Sequence, residues 1–237
     1  LLPLLKRKMM MHPLWIKLDG LARHIEAQFD KHLTKFNNPK YDDSMRFPGW
    51  RDTFWKSSVI SKAHLKTIVP ENGRGLWLMH VNVFPKPGIE LPILGFDIVA
   101  GPKKVTGSFM DYSPLHGHPH PYTDFMAHKV KGLEWVKARE LPPWAQEIFS
   151  ENMIAVGNIN TDEELEQFIK VTSCLLDYYL ENIDQNAFES GRDTTPLLNK
   201  YCINQKMNPH LHRSIEAMGI SKEDKNRYVD NVLFEEI

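Results

Sequence analysis

The chain has 237 residues, 42% hydrophobic and 25% charged, an ordinary globular composition that supplies one substantial core or two small ones. Its 29 Lys and Arg against 30 Asp and Glu leave a net charge of −1, so no overall field selects nucleic acid or an anionic membrane. The two cysteines, Cys174 and Cys202, lie far apart with no CxxC, which argues against a disulfide framework, a zinc ribbon or a thioredoxin-like motif and fits a reducing cytoplasm.

The opening Leu1-Leu2-Pro3-Leu4-Leu5 is too short for a signal or a membrane span, and its charges, Lys6-Arg7-Lys8, follow it rather than precede it. Residues 1–12 are therefore read as a frayed or non-native terminus and 13–237 as one domain. From Pro13 to Phe36 apolar residues recur at three- and four-residue steps, predicting an amphipathic helix. Asn37 to Ser58, rich in Asp, Asn and Pro, reads as irregular and packed by Trp50, Phe54 and Trp55. Three strands follow, at Leu76 to Phe84, Ile93 to Ala100 and Val105 to Ser113, with turns that mark an antiparallel meander. A His- and Pro-rich loop, Leu115 to Tyr122, leads to a helix from Phe125 to Val136. Met153 to Gly157 is a further strand candidate, and Asp162 opens a long helix to about Ile183. A helix pair at Pro196 to Gln205 and Pro209 to Met218 precedes the tail Tyr228 to Ile237. Helices on both sides of a run of antiparallel strands give an α+β fold, a three-layer α/β/α sandwich around a central antiparallel sheet.

Strand Leu76 to Phe84 is apolar on both faces, so neither faces open water. Strand Ile93 to Ala100 carries one carboxylate, Asp97, in an otherwise apolar run, and such a group must be hydrogen-bonded, paired or protonated. If the connection closes symmetrically, Phe84 faces Ile93 and His80 faces Asp97, with Cβ atoms about 4.5–5.5 Å apart. Asn82 adds a third polar group to that face. From the residues alone, the pair reads equally as a satisfied polar contact and as an acid–base site.

His116, His118 and His120 alternate like metal ligands but have no acidic or cysteine neighbour in the sequence, and a plain surface loop is the simpler reading. No GxGxxG, GxxxxGK[ST] or GxSxG is present, so electrons for any redox role come from outside the chain. Lys103, Lys104, Lys129, Lys131, Lys137 and Arg139 form a basic stretch able to receive an acidic partner.

The segments A-H-L-K, G-L-W-L-M-H-V-N-V-F-P and L-P-I-L-G-F-D-I-V-A-G between Lys62 and Gly101 resemble the ferredoxin-dependent bilin reductases. The likeness continues through Asp111 to Pro114, Leu141 to Ser150, Tyr201-Cys202, Gln205-Lys206 and Arg227-Tyr228 to Val232-Leu233-Phe234. It implies a soluble monomer in the cytoplasm, with a phage-infected bacterium as one setting, that holds biliverdin IXα between the sheet and the C-terminal helices. It implies no tightly bound cofactor or metal, single electrons from a reduced 2Fe-2S ferredoxin docked transiently, and no nucleic-acid or membrane partner. His80 and Asp97 fall on the family's catalytic histidine and aspartate.

Two departures bear on the product. Where the phycocyanobilin-forming members read His-Leu-Glu, this chain reads His64-Leu65-Lys66, and a cation cannot act as that acid. Where many members carry Asn-Asp, it reads Asn208-Pro209, with His210 as a possible substitute. These imply reduction to phycoerythrobilin in four electrons through 15,16-dihydrobiliverdin, as in phage-encoded relatives. Phycocyanobilin as product and a non-catalytic bilin carrier are the alternatives. The substrate contacts expected are His64, Lys66, Asn82, Ser113, Asn208 and His210. The arginine that some relatives place after I-F-S is missing, since Met153 to Asn158 holds no basic residue.

Overall fold

The computed structural model describes residues 12–41, 49–70, 75–116, 119–216 and 219–237. Helix α1 (Pro13–His32) starts at a proline, whose missing N–H costs nothing in the first turn, and buries Trp15, Leu18, Leu21, Ala22, Ile25 and Phe29 along one stripe. It is shorter than its periodicity predicts, because Thr34–Phe36 leaves the helix to become the edge strand β1.

Seven antiparallel strands form the central sheet. With β2 (Trp50–Lys56), β3 (Ile60–Ile68), β4 (Trp77–Pro85), β5 (Ile89–Glu90), β6 (Ile93–Ala100), β7 (Val105–Ser113) and β8 (Ile154–Val156), its order is β1-β2-β3-β4-β6-β7-β8. Strand β5 pairs instead with β9 (Phe188–Glu189) in a separate ribbon. Between β7 and β8 lie α2 (Pro121–Val130) and the short α3 (Pro143–Gln146). The expected start of α2 is therefore four residues late. His120 supplies the N-cap, accepting from the Tyr122 backbone N–H, and is buried, so the His-rich loop is not plain surface there. His118 lies outside the described residues.

The strands β2 and β3 correct the sequence reading, which left Asn37 to Ser58 irregular and placed no strand before Leu76. In β3, the alternation Lys62, His64, Lys66 against Ala63, Leu65, Thr67 looks like a solvated face, yet from Ala63 onward the strand is buried on both faces. The polar side is covered by protein.

Helix α4 (Asp162–Glu181) begins at Thr161, which accepts from the Glu164 backbone N–H, and carries three acids in its first turn, where the helix dipole favours them. The chain then passes α5 (Ile183–Asn186), α6 (Thr195–Lys206), α7 (Pro209–Glu216), α8 (Lys222–Tyr228) and one π-helical turn, Val229–Leu233. The tail read from Tyr228 onward is thus partly helical. No described helix is long and apolar enough to cross a membrane.

Period-two alternation sorts the sheet residues into two cores. Trp55, Ala63, Leu65, Met79, Val81, Val83, Leu94, Phe96, Ile98, Met110, Tyr112 and Val156 face α1, α2 and α4. Trp50, Phe54, Ile68, Leu78, Phe84 and Ile93 face the opposite way, against Leu198, Tyr201, Ile215, Tyr228, Val232, Leu233 and Phe234 of the C-terminal segment. Each fully buried aliphatic or aromatic side chain contributes about 1.5–3 kcal/mol, so both layers are firmly attached. The three-layer sandwich follows.

The second layer comes closest at Gly95, where a Cβ would stand 2.9 Å from the Tyr201 hydroxyl oxygen. Tyr201 is buried, and its hydroxyl accepts from Gln205 Nε2 at 2.8 Å. Gly95→Ala is expected to destabilise the protein by about 1–3 kcal/mol through overpacking, read as a lowered melting temperature. An unchanged melting temperature would show that α6 can move away at no cost.

Candidate active site

The register places His80 of β4 directly opposite Asp97 of β6, as the hairpin count predicts. His80 Nδ1 is 2.6 Å from Asp97 Oδ1, and Asn82 Nδ2 is 3.0 Å from His80 Nε2. Lys66 of β3 faces His80 on the other side, and Asp52 of β2 faces Lys66. One polar row, Asp52, Lys66, His80, Asp97, therefore crosses four neighbouring strands on the face under the C-terminal helices. The next row holds Phe54, His64, Asn82, Gly95 and Asp111.

Asp52 Oδ1 receives His64 Nε2 at 2.6 Å and the Tyr228 hydroxyl at 2.5 Å. Burial pushes the Asp52 carboxyl up, but these two bonds and the charge of Lys66 outweigh it and hold it below the usual range. Burial moves His64 down to about 4 and so keeps it neutral at pH 7. Its ring stacks on Phe54 with centroids 4.5 Å apart. Burial also lowers Lys66, against the opposing fields of Asp52 and Asp97. The Lys66 ammonium sits over the rings of Trp50 and Tyr228, at 4.9 and 5.4 Å. Three buried atoms here, Asp52 Oδ2, His64 Nδ1 and Asn82 Oδ1, have no protein partner. Unmet hydrogen bonds of this kind mark a place for water or a ligand.

The row opens at one end. The side chain of His80 is 7% exposed and that of Asp97 42%. Along β6, Leu94, Phe96, Ile98 and Ala100 are buried, whereas Gly95, Asp97 and Val99 on the site face are half-buried, as is Phe109, the β7 neighbour of Asp97. Arg139 borders this opening. Its guanidinium lies over the Phe109 ring at 5.6 Å, donates to the Thr106 carbonyl, and fills the space a Cβ on Gly157 would take. A separate cleft of about 210 Å³, lined by Leu91, Leu115, His116, His120 and Phe188, is smaller than the roughly 300–1,000 Å³ of small-molecule sites and includes none of the polar row.

Of the expected contacts, His64, Lys66 and Asn82 join His80 and Asp97. Ser113 shares the face but is buried, and its hydroxyl donates to Asp111 Oδ2 at 2.7 Å. Asp111 also takes the backbone N–H and hydroxyl of Ser150, and burial raises its carboxyl to about 6. Ser113 thus bonds within β7, and Asp111 ties the strand to Ser150. Asn208 Oδ1 accepts from the His210 backbone N–H at the start of α7, and the His210 residue is exposed.

Sequence reasoning missed Asp52, Tyr228 and Phe234, whose ring meets His80 edge-on at 5.7 Å. The available signal for Asp52 was its shared parity with Trp50 and Phe54 in W-R-D-T-F-W. Arg139 was grouped with the surface cations, and nothing local distinguishes it. Among the described residues no group of three or more His, Cys, Asp or Glu could hold a metal ion.

Comparison with known proteins fits this geometry. The family model for ferredoxin-dependent bilin reductase matches residues 21–235. Phycocyanobilin:ferredoxin oxidoreductase of Synechococcus sp. (strain CC9902) is 31% identical, over 93% of this chain and 87% of its own length. The enzyme of that name from Prochlorococcus marinus (strain MIT 9313) is 29% identical, over 92% and 78%. In fold, the chain resembles the solved structure of PcyX, with TM-score 0.64, 23% identity, and 93% and 99% of the two chains covered. It also resembles tomato phytochromobilin synthase in complex with biliverdin, with TM-score 0.67, 14% identity, and 93% and 82% covered. With nearly its whole length matched, this chain belongs to the ferredoxin-dependent bilin reductases and is a ferredoxin-dependent oxidoreductase.

Proposed function

We propose that the chain reduces biliverdin IXα to phycoerythrobilin, through 15,16-dihydrobiliverdin, with His80 and Asp97 governing protonation. The carrying observation is the buried Lys66 beside His80, in the same row as Asp97. Each electron from reduced ferredoxin makes the flat tetrapyrrole more basic, and a proton must reach it in place before the next electron arrives. Asp97 is the exposed acid of the row and His80 backs it at 2.6 Å. The fields of Asp52 and Asp97 oppose the lowering that burial imposes on Lys66, and at this position the side chain supplies a field where an acid would supply a proton. With one fewer donor, reduction proceeds at the 15,16 bridge and then at the A-ring diene. His64 Nδ1 and Asn82 Oδ1, buried without protein partners, are available to the bound substrate or its water. Arg139 is the cation for a propionate carboxylate.

Anaerobic turnover with biliverdin and reduced ferredoxin, followed by chromatography of the products, tests this reading. Phycocyanobilin as the main product would overturn the product assignment, and unchanged biliverdin would favour a carrier. Asp97→Asn is expected to keep biliverdin binding while slowing reduction about 10²–10⁴-fold, and His80→Gln to change how far reduction proceeds. Full activity in both variants would remove the pair from the mechanism.

Lys66→Glu places a carboxyl directly across from Asp52, where two like charges cannot both ionise and one is held protonated. The expected result is a shift of the product mixture toward phycocyanobilin. An unaltered mixture in a folded variant would detach Lys66 from product choice.

Arg139→Ala is expected to raise KM for biliverdin about tenfold or more, the worth of one charge-assisted hydrogen bond, with a smaller effect on kcat. The wild type should discriminate against biliverdin dimethyl ester and the variant should not. Equal discrimination by both would place the propionate elsewhere.

A further inference from the structure

Asn82 stands between the active pair and the C-terminal segment. Its Nδ2 is 3.0 Å from His80 Nε2 and 3.4 Å from the Leu233 carbonyl oxygen. A carbonyl can only accept, so the amino side of the carboxamide must be the side that faces Leu233. That leaves its other N–H for His80 Nε2, which must then be the unprotonated ring nitrogen. The orientation is fixed from behind as well. Lys62 Nζ donates to the Val232 carbonyl at 2.6 Å and to the Leu233 carbonyl at 3.2 Å, holding both oxygens in place. Turning the amide would set Asn82 Oδ1 against the Leu233 oxygen, and Oδ1 already lies buried without a protein partner.

We infer that Asn82 is a positioning residue that holds His80 with its ring proton on Nδ1, directed at Asp97, and with Nε2 unprotonated. This rests on His80 and Asp97 being the proton-handling pair. The groups packed around His80 agree with a single ring proton. Lys66 from β3 is its cross-strand neighbour and opposes a second positive charge. The His64 ring stands edge-on at 6.1 Å, with its own Nε2 committed to Asp52. Phe234 covers the ring from the C-terminal segment, and Asp97 from β6 is the carboxylate in contact with it.

The consequence is a division of labour. Asp97 Oδ1 accepts His80 Nδ1–H, which leaves the other carboxyl oxygen free to take a proton from water and pass it to the tetrapyrrole. At that step the Asp97 O–H bond breaks and a bond from hydrogen to the reduced ligand forms. The electron has come from ferredoxin, and the carboxylate left behind keeps the bond from His80. Because Asp97 is half-exposed, water can restore its proton. His80 steers and stabilises without being consumed.

The tautomer can be read directly in ligand-free enzyme carrying ¹⁵N-labelled histidine, with His80→Gln used to assign the signals. At pH 7 the expected spectrum of His80 shows a protonated Nδ1 and an unprotonated Nε2. An Nε2–H tautomer, or an imidazolium, overturns the inference. Asn82→Asp offers Nε2 a carboxylate, which should stabilise the imidazolium, raise its pKa by about one unit or more and carry the pH profile of biliverdin reduction the same way. Asn82→Leu removes the donor and should give a mixture of tautomers. An unchanged His80 spectrum in a folded Asn82→Leu protein would reduce Asn82 to a packing residue. The ring spectrum needs no turnover, so a correct tautomer in an enzyme that reduces nothing would defeat the proposed function alone.

Discussion

A lysine and an aspartate buried side by side in the middle of a sheet set the terms for the rest of this molecule. Taking either charge out of water alone costs several kcal/mol, and their mutual attraction offsets that cost only where geometry and further hydrogen bonds are good. Asp52 meets the condition with His64 and Tyr228, and Lys66 with the faces of Trp50 and Tyr228. Removing any one of these partners leaves a charge stranded in the layer. The polar row is therefore tied to the fold as a whole and not merely placed upon it.

The partner common to both, Tyr228, lies far away in sequence. Tyr228, Leu233 and Phe234 come from the end of the chain, yet they touch Asp52, Asn82 and His80. The π-helical turn at Val229–Leu233 aims two carbonyl oxygens at Lys62 and one of them at Asn82. Irregular helical turns of this kind recur at functional sites, and here the turn supplies backbone acceptors inside an otherwise apolar interface. The last ten residues of this sequence thus help decide what the central strands can do.

This distribution explains what could be read from the sequence and what could not. The pairing of His80 with Asp97 was legible because β4 and β6 are close in the chain, largely apolar and joined by a connection short enough to fix register. The second departure from the family pattern falls at the start of α7, where Asn208 Oδ1 accepts from the His210 backbone N–H. Strand β3 escaped notice because its Lys and His residues suggest water, and the protein that covers them comes from the other end of the chain. Arg139 was invisible for a related reason. Its place over Phe109 depends on Gly157, just past β8, where a Cβ would stand 2.5 Å from its Nε. Local pattern reports local pairing, whereas a site assembled from four strands and a terminus has no local pattern.

Exposure along the row also gives it a direction. Side chains of Asp52 and His64 are fully enclosed, Lys66 nearly so, His80 slightly open and Asp97 almost half open. A carboxylate inside would lose its proton to no one, and one outside would exchange it with water regardless of the ligand. Asp97 stands at the boundary, where its proton can be renewed from solvent, while the groups behind it are screened by protein and act through fixed fields. Changing the residue at Lys66 alters the field without opening the interior, because its neighbours on both strands remain. The proposed function rests on this arrangement, with the acid held at the open end of the row and the residue two strands away setting the field around it.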